Sequence, residues 1–257
     1  MEFLRWTLDE GVAVVTIARP PANALSQGLI RDVSHFLDEV EHHEEVRVIV
    51  LHGEGRFFSA GADIKEFTSV TSGEEFARLA KNGQDVFERL ETFSKPVLAA
   101  IHGAALGGGL ELAMACHIRY VTPSAKLGLP ELQLGIIPGF AGTQRLPRYV
   151  GVAKAAEMMF TSDPISGADA VQWGLANAAF EEDELLAQTL LIAKKIAKKS
   201  PIALKAAIQM LQYSKAPTFY EGVTAEAASF GEVFVTADAK EGIQAFIEKR
   251  EPQFTGK

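Results

Sequence analysis

The sequence predicts an α/β fold: an α/β core followed by a helical C-terminal third. Three observations carry that prediction. Short runs rich in Val and Ile, at 11–18 (GVAVVTIA), 46–52 (VRVIVLH) and 97–102 (VLAAIH), are bounded by Gly, Pro or charge, as buried strands are. Between them, the segments 26–41 and 74–91 repeat their apolar residues every three or four positions. Beyond about residue 143 the strand signals fade and helical patterns take over. Strand and helix in alternation imply crossover connections and a largely parallel sheet.

The elements follow in chain order. FLRWTL at 3–8 reads as the first strand, hairpinned to the run 11–18 through Asp9-Glu10-Gly11. In the helix predicted over 26–41, Leu29, Val33, Phe36, Leu37 and Val40 fall on one face. HGAALGGGLELAMAC reads as a strand end, a glycine turn and a helix opening at about Leu110. Helical patterns then cover 152–160, 181–199, 201–213, 217–232 and 237–250, with Pro201 and Pro217 placed where a first-turn proline is tolerated. The chain is expected to divide into an α/β core with the catalytic site, 1–195, and a C-terminal helical oligomerisation region, 196–257. The boundary is a change of composition without a free hinge, and no internal repeat is present.

Composition narrows the function. The 257 residues are 47% hydrophobic and 23% charged, as in an ordinary globular protein. A net charge of −8 and a pI near 5.3 argue against binding a phosphate backbone, which needs clustered Lys and Arg. The one basic cluster, Lys194, Lys195, Lys198 and Lys199, reads as a solvated helix face. Cys116 is the only cysteine, so no intramolecular disulfide forms and a reducing compartment is expected. No window approaches the roughly 18 apolar residues of a membrane span, and the N-terminus lacks a basic segment leading into an apolar run. The expected location is the cytoplasm, or the mitochondrial matrix if a transit peptide has been removed. Neither nucleic acid nor membrane is an expected partner.

Two glutamates interrupt apolar sequence. Glu111 lies in LELAMAC just after Gly107, Gly108 and Gly109, and Glu131 lies in LGLPELQLGIIPGF. At a helix start the first N–H groups lack internal partners and the dipole is positive, so the region of Gly108 and Gly109 can donate to a substrate oxygen. The same glycines would equally serve close helix packing, with Glu111 a favourable first-turn acid. Small residues in GEGRFFSAGADIKEF, 53–67, would let a ligand lie against backbone and could supply a second donor; alternatively this is a plain turn with Asp63 capping a helix from Ile64. Glu131 alone reads as a surface turn residue, whereas paired with Glu111 it could grip a water molecule. Other motifs fail: Gly53-Glu54-Gly55 has Phe58 where a dinucleotide motif needs glycine, and no phosphate loop or nucleophile elbow occurs. His42-His43 beside Glu44-Glu45 reads as a solvated helix end, and Cys116 beside His117 as a buried structural thiol.

On RPPANALS at 19–26, FFSAGADIKEF at 57–67, KPVLAAIHGAALGGGLELAMAC at 95–116, LGLPELQLGIIPGFAGTQRLPR at 127–148 and AFIEKREPQF at 245–254, the chain resembles the enoyl-CoA hydratase (crotonase) family. The resemblance implies a ClpP-like spiral of repeated ββα units with a C-terminal helical trimerisation region, the trimers commonly pairing as hexamers. It implies Glu111 and Glu131 as the catalytic pair and the amides of Ala60 and Gly108 as the oxyanion hole. Ala60, Gly61, Ala62, Asp63 and Ile64 would lie along coenzyme A, joined by Phe230, Phe246 and Lys249 near the C-terminus. The implied reaction is reversible syn addition of water to a trans-2-enoyl-CoA, giving a 3-hydroxyacyl-CoA. Coenzyme A enters as part of the substrate, and neither a metal nor a prosthetic group is expected. A Δ3,Δ2-enoyl-CoA isomerase, a hydratase of branched methylglutaconyl-type substrates and, more remotely, a non-catalytic RNA-binding relative are the alternatives. His117 departs from the family, where Asp often follows this cysteine.

Overall fold

The computed structural model describes residues 1–67, 70, 72–212 and 219–253. The chain opens with β1 (Leu4–Asp9) and β2 (Val12–Ile17), an antiparallel hairpin. Its turn, Glu10-Gly11, has φ of 47° and 83°, the sense that matches the twist of the two strands. Then come α1 (Gln27–Glu41), β3 (Val48–Gly53), α2 (Ile64–Phe67), α3 (Gly73–Glu91), β4 (Val97–Ile101), β5 (Ala104–Leu106), α4 (Gly108–Ala115), β6 (Ile118–Val121) and β7 (Lys126–Gly128). A single 3-10 turn, Glu131–Leu134, leads to α5 (Gly142–Thr161), β8 (Ile165–Ser166), α6 (Gly167–Gln172), β9 (Ala178–Ala179) and α7 (Glu182–Ala197). The described C-terminal region is helical: α8 (Pro201–Gln212), α9 (Phe219–Phe234) and α10 (Ala237–Glu248).

The strands form a six-stranded sheet in the order β1-β2-β3-β4-β6-β9 and a three-stranded sheet in the order β5-β7-β8. From β2 onward the large sheet is parallel. A turn of the chain therefore adds one strand to the large sheet, one to the small sheet, then a helix, as β4-β5-α4 and β6-β7-α5 do. The continuous apolar runs now have their reason. Val48, Val50, Leu98 and Ala100 pack with Leu185 and Ala193 of α7, while Ile49, Leu51, Ala99 and Ile101 join the larger core with α1 and α4. Both faces of the sheet are covered.

Side-chain caps fix the helix starts: the hydroxyl oxygens of Ser26, Ser72 and Thr236 accept from the N–H groups of Leu29, Glu75 and Ala239. Pro201 opens α8 as expected, whereas Pro217 lies outside the described residues. The helix expected at 152–160 begins ten residues earlier. It kinks at Gly151 (φ 77°, ψ 158°), and its start carries no side-chain cap, which removes the usual sequence signal. Lys194 pairs with Asp9 and Glu10 at 2.8 Å each, so part of the basic cluster ties α7 to the β1–β2 turn.

Candidate active site

The glycine cluster is required by its neighbours. Gly107 turns the chain from β5 into α4 with φ 50° and ψ −128°, and a Cβ there would stand 2.8 Å from Oε1 of Glu131. A Cβ on Gly109 would overlap the backbone carbonyl of Ser59, and one on Gly108 would crowd Leu25 and Phe140 at 3.0 and 3.2 Å. Loop 57–63, β5 and the start of α4 thus converge at backbone distance.

Glu111 sits in the first turn of α4 and is 1% exposed. A carboxylate so deep needs partners. Its Oε1 accepts the N–H groups of Phe140 at 2.8 Å and Gly142 at 2.7 Å. Both point the same way because Ala141 between them is left-handed, with φ 70° and ψ 24°. Gly142 must lack a Cβ, which would lie 2.8 Å from the same oxygen. Oε1 thus serves as a double acceptor, which fixes the orientation of the carboxylate.

Glu131 begins the 3-10 turn after β7, which Gly135 closes at φ 69°. Glu111, Glu131 and Gly108 line one cavity of about 150 Å³, together with Ala60, Gly61, Ala62 and Ile64. The remaining wall is apolar, formed by residues such as Ile136, Ile137, Phe140 and Phe230. No Lys, Arg or His is among the described residues that line it.

As the first residue of α4, Gly108 has an N–H without a helical acceptor. The N–H of Ala60 is engaged: it donates to the carbonyl of Ala22 at 3.0 Å. Two residues on, Ala62 pairs with Leu25 in a parallel bridge in which Leu25 N donates to Gly61 O and Asp63 N donates to Leu25 O. That pattern turns the N–H of Ala62 away from Leu25, and it makes none of the described hydrogen bonds. Of these two loop amides, that of Ala62 rather than the expected Ala60 is therefore the one left for a ligand. The sequence located the loop; the pairing with residues 22–25, remote in sequence, decides which amide is available.

Two of the residues expected along coenzyme A lie off this cavity. Asp63 does not line the cavity; its carboxylate pairs with Arg19, whose guanidinium also donates to Ala24 O at 3.1 Å. Glu66 Oε2 accepts from Gln27 N at 2.9 Å, so loop 60–66 is tied down on the segment 19–27. Asn23 strengthens the tie, its side-chain amide donating to Glu54 O and Phe57 O at 2.9 and 2.8 Å. Lys249 lines a neighbouring groove rather than this cavity, sharing Phe246 and Leu134 with it. Phe230 and Phe246 do reach the cavity, from α9 and α10 of the same chain. The amides of Phe140 and Gly142 escape sequence reasoning altogether, because a backbone donor has no residue type.

Behind α4, the Cys116 thiol is fully buried and pushed up to about 12, which suits an inert structural role. His117 is held down to about 4 chiefly by burial; its Nδ1 accepts from Val97 N at 2.9 Å. No group of three or more His, Cys, Asp or Glu among the described residues is placed to hold a metal ion, and no described helix is long and apolar enough to cross a membrane.

The enoyl-CoA hydratase/isomerase family model matches residues 7–257. A probable enoyl-CoA hydratase of Bacillus subtilis (strain 168) is 55% identical over 257 residues, covering 100% of both chains. A short-chain-enoyl-CoA hydratase of Clostridium acetobutylicum is 42% identical over 93% of this chain and 92% of its own. Among solved structures, an enoyl-CoA hydratase from Bacillus anthracis superposes with a TM-score of 0.79 at 36% identity, covering 99% of this chain and 100% of that one. The chain belongs to the enoyl-CoA hydratase/isomerase family, and its two linked sheets are the crotonase spiral.

Proposed function

We propose that this protein is an enoyl-CoA hydratase that adds water reversibly across the 2,3-double bond of a short, uncharged trans-2-enoyl-CoA. The observation that carries this reading is the sharing of one small cavity by Glu111, Glu131 and the N–H end of α4. The thioester oxygen is held by the amides of Gly108 and Ala62, which draw charge away from C3 and stabilise the enolate-like oxygen. Water lies between the two carboxylates. One takes a proton from it as the oxygen bonds to C3, and the other delivers a proton to C2 on the same face. An amide donor of this kind contributes roughly 3 to 4 kcal/mol to the barrier and a general acid or base about 10² to 10⁴ in rate.

The substrate class follows from the walls. A cavity of about 150 Å³ lies below the roughly 300 Å³ at which drug-sized ligand sites begin, so it suits a small acyl group. Without a lining cation, a second carboxylate at the far end of the acyl chain would be buried unpaired. We assign the chain to the cytoplasm and to a homotrimer or a dimer of trimers, with residues 196–257 as the oligomerisation region.

The test is the loss of conjugated-thioester absorbance when the purified protein meets crotonyl-CoA, beside Glu111→Gln and Glu131→Gln. Wild-type turnover that each variant loses by about 10² or more, with binding of the product CoA thioester kept, is the expected result. Near-normal hydration by both variants would sink the carboxylate pair, and an inert wild type would sink the substrate class.

A further inference from the structure

Behind the cavity, α3 and α5 bury a guanidinium and a carboxylate. Arg145 is 1% exposed; its Nε donates to Glu91 Oε2 at 2.9 Å, and Glu91 Oε1 accepts from Arg148 Nη1 at 2.8 Å. A buried pair of this kind usually adds little stability over an apolar pair of similar volume. Arg145 Nη2 also lies 3.6 Å from Glu88 Oε2, but a further contact is more informative. Arg145 Nη1 donates to the carbonyl of Phe140 at 2.8 Å, and Phe140 is the residue whose N–H holds Glu111.

The neighbouring peptide is clamped in the same way. Gln84, also 1% exposed, donates from Nε2 to the carbonyl of Gly139 at 3.0 Å. Successive carbonyls, 139 and 140, are thus held by buried side chains of α3 and α5, while the amides of 140 and 142 converge on Oε1 of Glu111. Ala141 keeps its left-handed backbone between them, which a non-glycine residue does only where its surroundings enforce it.

We propose that Arg145, held by Glu91, is a positioning residue for Glu111. By fixing the Phe140 carbonyl it sets the turn 139–142, whose two amides orient the Glu111 carboxylate and so its approach to the reacting water. The catalytic part of this inference rests on the hydratase reading; the positioning part does not.

Two variants test it. Arg145→Lys keeps a charge beside Glu91 but lacks the planar fork that reaches Glu91 and Phe140 together. The double change Glu91→Gln with Arg145→Met removes both charges, so neither is left buried alone if the single variant fails to fold. For variants folded by circular dichroism, the expected result is a fall in kcat for crotonyl-CoA of about 10²-fold, the scale of a misplaced reacting group, with KM within about threefold of wild type. The pH profile of kcat is displaced, which loss of bulk stability alone would not do. Crystal structures of the same variants should show the contacts of Phe140 N and Gly142 N with Glu111 Oε1 broken. Wild-type kcat and pH profile, or both contacts retained at 2.8 and 2.7 Å, would overturn the proposal. Because the crystallographic comparison needs no turnover, an inert wild-type protein would count against the substrate class while the positioning role was still decided.

Discussion

His117 shows what burial does to one residue. Its Nδ1 uses a lone pair on the Val97 N–H, so the neutral ring carries its proton on Nε2, a buried atom. Burial is the main cause of its pKa of about 4, against an ordinary 6.5, and Arg119 adds to the effect while Glu91 opposes it. Below pH 6.5 the unfolded chain takes up a proton that the folded protein refuses until about pH 4. Stability from this residue is therefore complete above 6.5 and lost as the pH falls through that window. At about 1.4 kcal/mol per pH unit the loss is on the order of 3 kcal/mol. His117→Asn keeps an acceptor for Val97 without the titration. Urea unfolding at pH 7 and pH 4.5 should show the variant losing distinctly less stability than wild type, and equal losses would show that His117 is not the titrating group.

At the scale of the element, the N-terminus of α4 is a structural joint and, in the proposed mechanism, a donor. Gly108 occupies its first helical position, where the missing N–H of a proline costs the helix no hydrogen bond, while the added Cβ presses on Leu25 and Phe140 at 3.0 and 3.2 Å. Gly108→Pro should therefore keep the hydrogen bonds of the helix while deleting one proposed oxyanion donor, and Gly108→Ala, which adds the Cβ but keeps the N–H, controls for the crowding. The expected outcome is a folded protein by circular dichroism whose kcat falls by about 10² to 10³. Normal turnover by the folded variant would show that Gly108 is not the donor. This joint also marks the limit of what the sequence makes legible. The strands β2, β3 and β4 are legible because both their faces are buried, and Glu111 and Glu131 stand out as charges set in apolar runs. The strands β5, β7, β8 and β9, two or three residues each, are too short for any period to register. Ala62 is distinguished from Ala60 only by pairing with residues some forty positions earlier, and the amides that hold Glu111 carry no side-chain signal.

For the whole molecule, the C-terminal helices have two tasks. Inward, α9 packs on α3 so closely that a Cβ on Gly73 or on Gly231 would overlap the other's carbonyl, and Phe230 and Phe246 complete the cavity from within the chain. Outward, α8 leaves Ile202 81%, Met210 59% and Leu211 64% exposed. Single exposed apolar residues are ordinary, but three on one helix of a region proposed for oligomerisation give that proposal a definite surface. Light scattering should find a mass of about 83 kDa, three times 27.8 kDa, or twice that. Replacing Ile202 and Met210 together by Glu should shift the mass toward the monomer, since a charge buried in an interface without a partner is strongly unfavourable. The dissociated variant also separates the two tasks. With Phe230 and Phe246 supplied by the same chain, its KM for crotonyl-CoA should stay within about threefold of wild type, because interactions made with bound substrate are unchanged. A large rise in KM on dissociation, in protein that remains folded, would mean that a neighbouring subunit completes the substrate site.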